Sequence, residues 1–246
     1  MKEPIPNGET LIKGTLQFPI VKNILTLNIY KGFSNCEKQL IFRINKKRPM
    51  QLVFATNNNN KLKEVQALLP DHIRILSLKD IGCFEDIPET QPTIAANAKQ
   101  KANYIKDHYG YDCFADDTGL EIEHLNGAPG VYSARYAGPQ RDAHANMDLV
   151  LEQLKNKPNR SAQFKTVIAL HLNNSLETFT GICEGDITET KHGSDGFGYD
   201  PIFKANGYSK TFAEIALVEK NAIGHRGKAV RLLVDYLNRL QTQDTQ

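Results

Sequence analysis

The sequence is poor in the residues that build metal cages and disulfide scaffolds. Its four cysteines, Cys36, Cys83, Cys113 and Cys183, form no CxxC pair and show no zinc-site spacing. A disulfide-stapled domain needs more of them in a shorter chain, so the expectation is reduced thiols in a cytoplasmic protein. The seven histidines are scattered, which argues against a histidine-based metal centre. No stretch approaches the roughly 20 apolar residues of a membrane span. The N-terminus has no compact apolar core followed by a small-residue cleavage site, which argues against a secretory signal. Net charge is scarce as well, at +2 over 246 residues. What is present in ordinary amounts is 40% hydrophobic and 24% charged residues, a globular balance that excludes wholesale disorder.

The near-neutral total hides an uneven split. Residues 1–49 hold nine Lys and Arg against three Asp and Glu, a net of +6. Residues 50–246 hold 21 against 25, a net of −4. Two regions are therefore expected: an N-terminal extension over 1–49 and a folded domain over 50–241. The extension mixes short apolar stretches with Pro, Gly and Asn, and residues 23–30 are its best strand. It equally reads as sequence upstream of a start at Met50. Its last residues include Lys46, Lys47 and Arg48. So short a basic run is common on surfaces, and a solvated linker is a better reading than a nucleic-acid patch.

From Met50 onward, strand and helix patterns alternate. Residues 50–55 form an apolar run that reads as a buried strand. Leu62, Val65, Leu68 and Leu69 mark a helix ended by Pro70. Residues 73–76 and 112–115 read as strands. Residues 93–109 read as a helix opened by Thr93, and 142–155 as another. Residues 162–172 and 176–188 alternate as a hairpin across Asn173-Asn174. Residues 221–240 read as one C-terminal helix with Val230, Leu233, Val234 and Leu237 inward. This order predicts an α/β domain with a mixed sheet.

Five polar clusters interrupt that scaffold. Thr56, Asn57, Asn58, Asn59, Asn60 and Lys61 follow the first strand and open a helix. Their amides and N–H groups suit an anion cradle, and a first-turn lysine is unfavourable unless an anion lies nearby. It is not a Walker A loop, because the Gly spacing and the Lys-Ser/Thr ending are missing. Asp116-Asp117-Thr118-Gly119 is read as the loop after a strand. Two adjacent carboxylates repel, and a divalent cation would relieve this. Alternation sends them opposite ways, so one should face a site while the other is structural. Glu89 is a candidate metal carboxylate, and Asn97 and Lys101 share a helical face beyond it. Phe197, Gly198, Tyr199 and Asp200 combine tight-turn glycines with flat rings suited to stacking a base. Lys220, His225 and Arg226 offer donors for phosphate or a base edge. Taken alone, the asparagine run and the Phe197–Asp200 turn read equally well as polar turns, Glu89, Asn97 and Lys101 as surface residues, and Lys220 to Arg226 as a helix cap, while the strand-end position favours a functional reading of Asp116-Asp117. Together they describe a metal-dependent nucleotide enzyme.

The same residues form an ordered series. It runs Ala55-Thr56-x-Asn58-x-x-Lys61, Glu89-Thr90, Asn97-Ala98-x-x-Lys101-Ala102 and Ala115-Asp116-Asp117-Thr118-Gly119-Leu120. It continues with the stretch from Gly127 to Tyr136, then Gly196-Phe197-Gly198-Tyr199-Asp200-Pro201 and Lys220-Asn221-Ala222-Ile223-x-His225-Arg226. This series resembles the inosine/xanthosine triphosphate pyrophosphatase family, from about Met50 to Leu240. The resemblance implies an elongated α/β domain with a long mixed sheet flanked by helices, an ITPase-like (Maf/ITPase-type) fold, and a homodimer. It implies Mg²⁺-dependent hydrolysis of ITP, dITP and XTP to the monophosphate and pyrophosphate. It further implies Asp117 as proton acceptor and metal ligand, with Glu89 the other metal carboxylate. Thr56 through Lys61 then form the triphosphate cradle. Lys101 is a further phosphate contact, and Thr118 a substrate contact. Phe197 through Asp200, Lys220, His225 and Arg226 recognise the base. One departure is Asn57 where many relatives have Gly. Asn is the non-Gly residue that best tolerates positive φ, so the turn is expected to survive. Two rivals remain open at this level. A Maf-like pyrophosphatase would lack the purine-end motifs, and a non-catalytic nucleotide-binding module would not need both Asp117 and Glu89.

Overall fold

The computed structural model describes residues 49–243 and, ahead of them, two short strands. The chain divides into two compact units, Met1–Arg48 and Pro49–Gln246. In the first, β1 (Gly14–Leu16) pairs antiparallel with β2 (Leu27–Ile29). Leu27–Ile29 lies within the strand expected at 23–30. The rest of that stretch and the basic run at 46–48 lie outside the described residues.

The second unit is built on a six-stranded sheet. Its strands are β3 (Met50–Phe54), β4 (Ile73–Leu76), β5 (Cys113–Ile122), β6 (Ser161–Leu172), β7 (Ser175–Ile187) and β8 (Phe203–Ala205). Their order is β4-β3-β5-β6-β7-β8, with β3 parallel to β4 and β5 and all later pairs antiparallel. The sheet is thus mixed, as expected. Strand β6 pairs with β7 over its whole length, from Ser161 opposite Asp186 to Leu172 opposite Ser175, giving the sheet a long axis of roughly 40 Å at about 3.4 Å per residue. Asn173 and Asn174 join them with φ of 49° and 65°. Two left-handed residues are what a two-residue turn matching the strand twist requires.

Among the described residues, five helices flank the sheet. They are α1 (Asn59–Gln66), α2 (Ile94–Tyr109), α3 (Ala143–Gln153), α4 (Leu217–Ile223) and α5 (His225–Gln243). Asn58, Thr93 and Asp142 cap α1, α2 and α3 with side-chain oxygens, satisfying N–H groups that the first turn leaves bare. Helix α2 lays Ala98, Ala102 and Ile105 on one sheet face, against Val53, Cys113, Ala115 and Val167. Helix α5 lays Val230, Leu233 and Leu237 on the other, against Leu52, Phe54, Phe114 and Ile168. Farther along the long strands, Leu120, Phe164 and Cys183 pack with Met147 and Val150 of α3 and with Phe203 and Phe212.

Two expectations are corrected. The strand read at 112–115 continues to Ile122, so Asp116-Asp117-Thr118-Gly119 lies inside β5 and is not a loop. Asp and Gly disfavour strands, but here β6 pairs residue for residue with the run and cations neutralise it. The helix read at 221–240 is two helices, divided at Gly224, whose φ of −72° and ψ of 160° are extended. A Cβ there would sit 2.7 Å from the Lys220 carbonyl oxygen, so glycine allows the close break.

Candidate active site

Alternation along the strands places a polar belt between two apolar cores. On β5, Phe114 and Leu120 belong to separate cores, with Asp116 and Thr118 between them on the same face. On β6, Thr166 lies in the same way between Ile168 and Phe164. The Thr118 and Thr166 hydroxyls meet at 2.6 Å. Helix α5 brings His225 and Arg226 down onto this belt. It approaches so closely that a Cβ on Gly181 of β7 would lie 2.0 Å from the His225 carbonyl oxygen.

The belt is an alternating chain of buried charges. Asp200 accepts from Lys220 at 2.6 Å, and Lys220 also donates to Glu64 at 2.8 Å. Glu64 pairs with Arg226, whose Nε reaches Asp116 at 3.2 Å, and Asp116 pairs with Lys61 at 3.0 Å. Three carboxylates and three cations balance, which is how charges survive burial. Burial raises the Asp116 pKa, but Lys61 and Arg226 outweigh it and hold that carboxyl below the ordinary range. Burial works on Glu64 in the same way and is outweighed by Arg226 and Lys220. Burial pushes Asp200 up, against the pull of Lys220. Glu64 was not singled out in the sequence. Its available signal was spacing, since it lies three residues after Lys61 on one helix face.

Asp117 points the other way, into a cleft of about 550 Å³. One oxygen accepts the Thr118 N–H at 3.0 Å and lies 3.9 Å from Lys101 Nζ. The other, Oδ2, is buried with no hydrogen-bond partner. Burial raises the Asp117 pKa despite Lys101 and Lys61. The neighbouring carboxylates thus titrate in opposite directions, the pattern that separates a base from a structural anion. Lys101 pairs with Glu89, which is one-third exposed. Asn97 is structural: its carbonyl oxygen accepts the Gln91 N–H at 2.8 Å and holds the Glu89 loop to α2.

Among the sequence-predicted residues, Thr56, Asn57, Asn58, Lys61, Glu89, Lys101, Asp117 and Thr118 line one end of this cleft. Phe197, Gly198, Tyr199, Asp200, Lys220, His225 and Arg226 line the other. Asn59 and Asn60 do not. They are exposed first-turn residues of α1. The Asn58 carboxamide oxygen is occupied as the helix cap, accepting from Asn60 and Lys61 N–H at 2.9 and 3.2 Å. Asn57 is not among the positive-φ residues, so the turn makes no demand for glycine there. The anion expected beside Lys61 is supplied by the protein's own Asp116.

The rings have two roles. Tyr199 is core: it is 4% exposed and its hydroxyl donates to the Ser133 carbonyl at 2.9 Å. Phe197 is half-buried, with Lys220 Nζ 5.0 Å and Arg226 Cζ 5.5 Å from its centroid. Gly196, at φ 75°, permits the turn, since a Cβ there would sit 2.1 Å from Asp200 Oδ2. His225 stacks on Phe164 with centroids 4.5 Å apart. Burial, with the charges of Arg226 and Lys220, pushes its pKa well below the ordinary value, leaving a neutral imidazole. The sequence reading quoted Ser133 and Arg135 within the motif series without giving them a role and passed over Phe164 and Arg141; all four complete the cleft. Among the described residues, no helix is long and apolar enough to cross a membrane. Nor does any group of three or more His, Cys, Asp or Glu gather there to hold a metal.

Comparison with known proteins agrees with this architecture. The Ham1 family model matches residues 52–236. A Flavobacterium johnsoniae protein named dITP/XTP pyrophosphatase is 63% identical over 188 residues, covering 76% of this chain and 98% of the relative. A Porphyromonas gingivalis protein of the same name is 49% identical, covering 76% and 97%. Among solved structures, a HAM1 protein from Coxiella burnetii superposes with a TM-score of 0.72 at 40% identity, covering 77% of this chain and 99% of that one. The Staphylococcus aureus Ham1 protein gives 0.71 at 36% identity, covering 76% and 98%. Motif order, mixed sheet, cleft and these likenesses agree, and the chain belongs to the Ham1 family.

Proposed function

We propose that this protein hydrolyses non-standard purine nucleoside triphosphates, dITP, ITP and XTP, to the monophosphate and pyrophosphate, clearing them from the cytoplasmic nucleotide pool. The observation that carries the reading is the polarity of one cleft. A cation-rich end holds a carboxylate oxygen without a partner, and an aromatic end holds buried donors. The relatives' shared name supports the same substrate class.

At the cationic end, Lys61 and Lys101 offset phosphate charge, and the Thr56–Asn58 turn supplies polar groups around it. Asp117 Oδ2 has no competing donor in the protein. It takes the proton from the water that attacks the α-phosphorus, and its raised pKa makes it a better acceptor than an ordinary carboxylate. Glu89 and Asp117 fit Mg²⁺: both are hard oxygen donors beside Lys101, and such an ion takes one or two carboxylates with substrate phosphates. When bound, that ion supplies Lewis acidity toward phosphate oxygens.

At the aromatic end, Phe197 and the stacked Phe164–His225 pair offer flat faces to a purine. Lys220 uses two of its three N–H groups on Glu64 and Asp200. On this reading the remaining donors of Lys220 and Arg226 meet a 6-keto oxygen. Adenine would present an amine there, leaving buried donors unpaired. A nucleotide panel with Mg²⁺, read by pyrophosphate release, tests the reading. ITP, dITP and XTP should be turned over and ATP and dATP rejected; equal kcat/KM for dITP and dATP would sink it. The family resemblance also implies a homodimer, which sedimentation velocity on the full chain would test.

A further inference from the structure

The cations of the cleft are unequally occupied. Lys61, Lys101, Lys220 and Arg226 each lie against a carboxylate of the protein. Two arginines on the connection between β5 and α3 also line the cleft. Arg135 rests over the Tyr132 ring, 5.4 Å from its centroid. For Arg141, no guanidinium hydrogen bond or ion pair is found among the described residues, and the residue is exposed. Its backbone is unusual too. Arg141 has φ 56°, and its N–H closes a turn onto the Gly138 carbonyl at 3.4 Å. The left-handed region is costly for a residue with a Cβ. Among the described non-glycine residues that adopt it, the other four are asparagines. Strain of this kind persists where surrounding structure holds it, often at ligand-binding positions. The turn lies just before α3, whose cap Asp142 anchors it, while Asn146 accepts the Ala137 N–H at 2.7 Å.

We propose that Arg141 is a phosphate-binding residue of this cleft, which takes the terminal phosphates of the substrate, the portion released as pyrophosphate. An arginine fork suits phosphate oxygens. A cation with no internal partner loses nothing when it turns to substrate, unlike the four that must share theirs. The inference rests on the triphosphate reading above, but its test separates the two. Calorimetry on the full chain would compare inorganic tripolyphosphate with inosine monophosphate, alongside the steady-state KM for ITP. Arg141→Asn keeps a residue that tolerates positive φ and removes the charge. It should weaken tripolyphosphate binding at least fivefold and raise KM by a similar factor, with the monophosphate bound as before and Tm unchanged. Arg141→Lys should fall between. Lys155→Gln, which removes an exposed cation outside the cleft, should change neither constant. Wild-type affinity for tripolyphosphate in Arg141→Asn, or an equal loss of monophosphate binding, would overturn the inference. If tripolyphosphate binding depends on Arg141 but no purine triphosphate is hydrolysed, the inference stands and the proposed function falls.

Discussion

The belt and the cleft beside it use the same residue types in opposite ways. At the belt, every carboxylate has a close cationic partner: Asp200–Lys220–Glu64–Arg226–Asp116–Lys61 runs without a gap. In the cleft, Asp117 lies 3.9 Å from Lys101 and keeps one oxygen without a partner, and for the exposed Arg141 no ion pair is found among the described residues. Full pairing makes a rigid wall that can orient a base. Under the proposed function, incomplete pairing leaves charges for a substrate and a proton. Asp116 and Asp117 are adjacent in sequence and fall on either side of this divide.

The contrast can be broken most forcefully at Asp117. Asp117→Asn should lower kcat with ITP by at least about 10³-fold while leaving Tm near wild type, because the proton acceptor is lost and no internal ion pair closer than 3.9 Å is broken. Asp116→Asn is its counterpart: Lys61 loses its anion and Arg226 one of its two, and stability should fall by about 3–5 kcal/mol in urea denaturation. If Asp116→Asn left stability intact and Asp117→Asn unfolded the chain, the assignment of the two would be reversed.

Glu64→Ala would leave Lys220 with Asp200 alone and Arg226 with Asp116 alone, and the belt with one buried positive charge in excess. A loss of similar size, about 3–5 kcal/mol, is expected, with kcat/KM for ITP lowered because both base-end donors would reorient. A smaller effect should come from Gly181→Ala. The added methyl meets the N-terminal turn of α5, and overpacking of this kind costs about 1–3 kcal/mol. Thermal melts would register the loss, and KM for ITP should rise as His225 and Arg226 shift.

The mildest test is pH. Glu64 has a folded pKa below its ordinary value of 4.5. The unfolded chain therefore binds that proton first. Its stabilisation is complete above about pH 4.5 and fades as pH falls through the lowered pKa. Glu64→Gln should flatten the acid limb of stability against pH. An unchanged slope would show that the pair does not hold Glu64 ionised.

Much of this was legible from local rules. Period 3.6 and a capping threonine placed α2, and two consecutive asparagines placed the β6–β7 turn. Alternation alone required Asp116 and Asp117 to part company. Reading failed where tertiary partners override propensity. The aspartates and glycine of β5 look like a loop until β6 pairs with them. The C-terminal pattern looks continuous until Gly224 must bring its backbone against Lys220. The four asparagines looked like one cradle, but Asn58 is occupied as a cap, and Asn59 and Asn60 face away from the cleft. Glu64 looked like any polar helix residue.

By itself, the sequence determined the elements, their order, the motif series and the opposed directions of its paired aspartates. These follow from torsional preference and periodicity, which act over a few residues. Only the tertiary structure decided which carboxylate is neutralised and which keeps an oxygen without a partner. Burial and Coulomb pairing depend on groups distant in the chain: the Arg226 that holds Asp116 ionised lies 110 residues away, and no local pattern records that meeting.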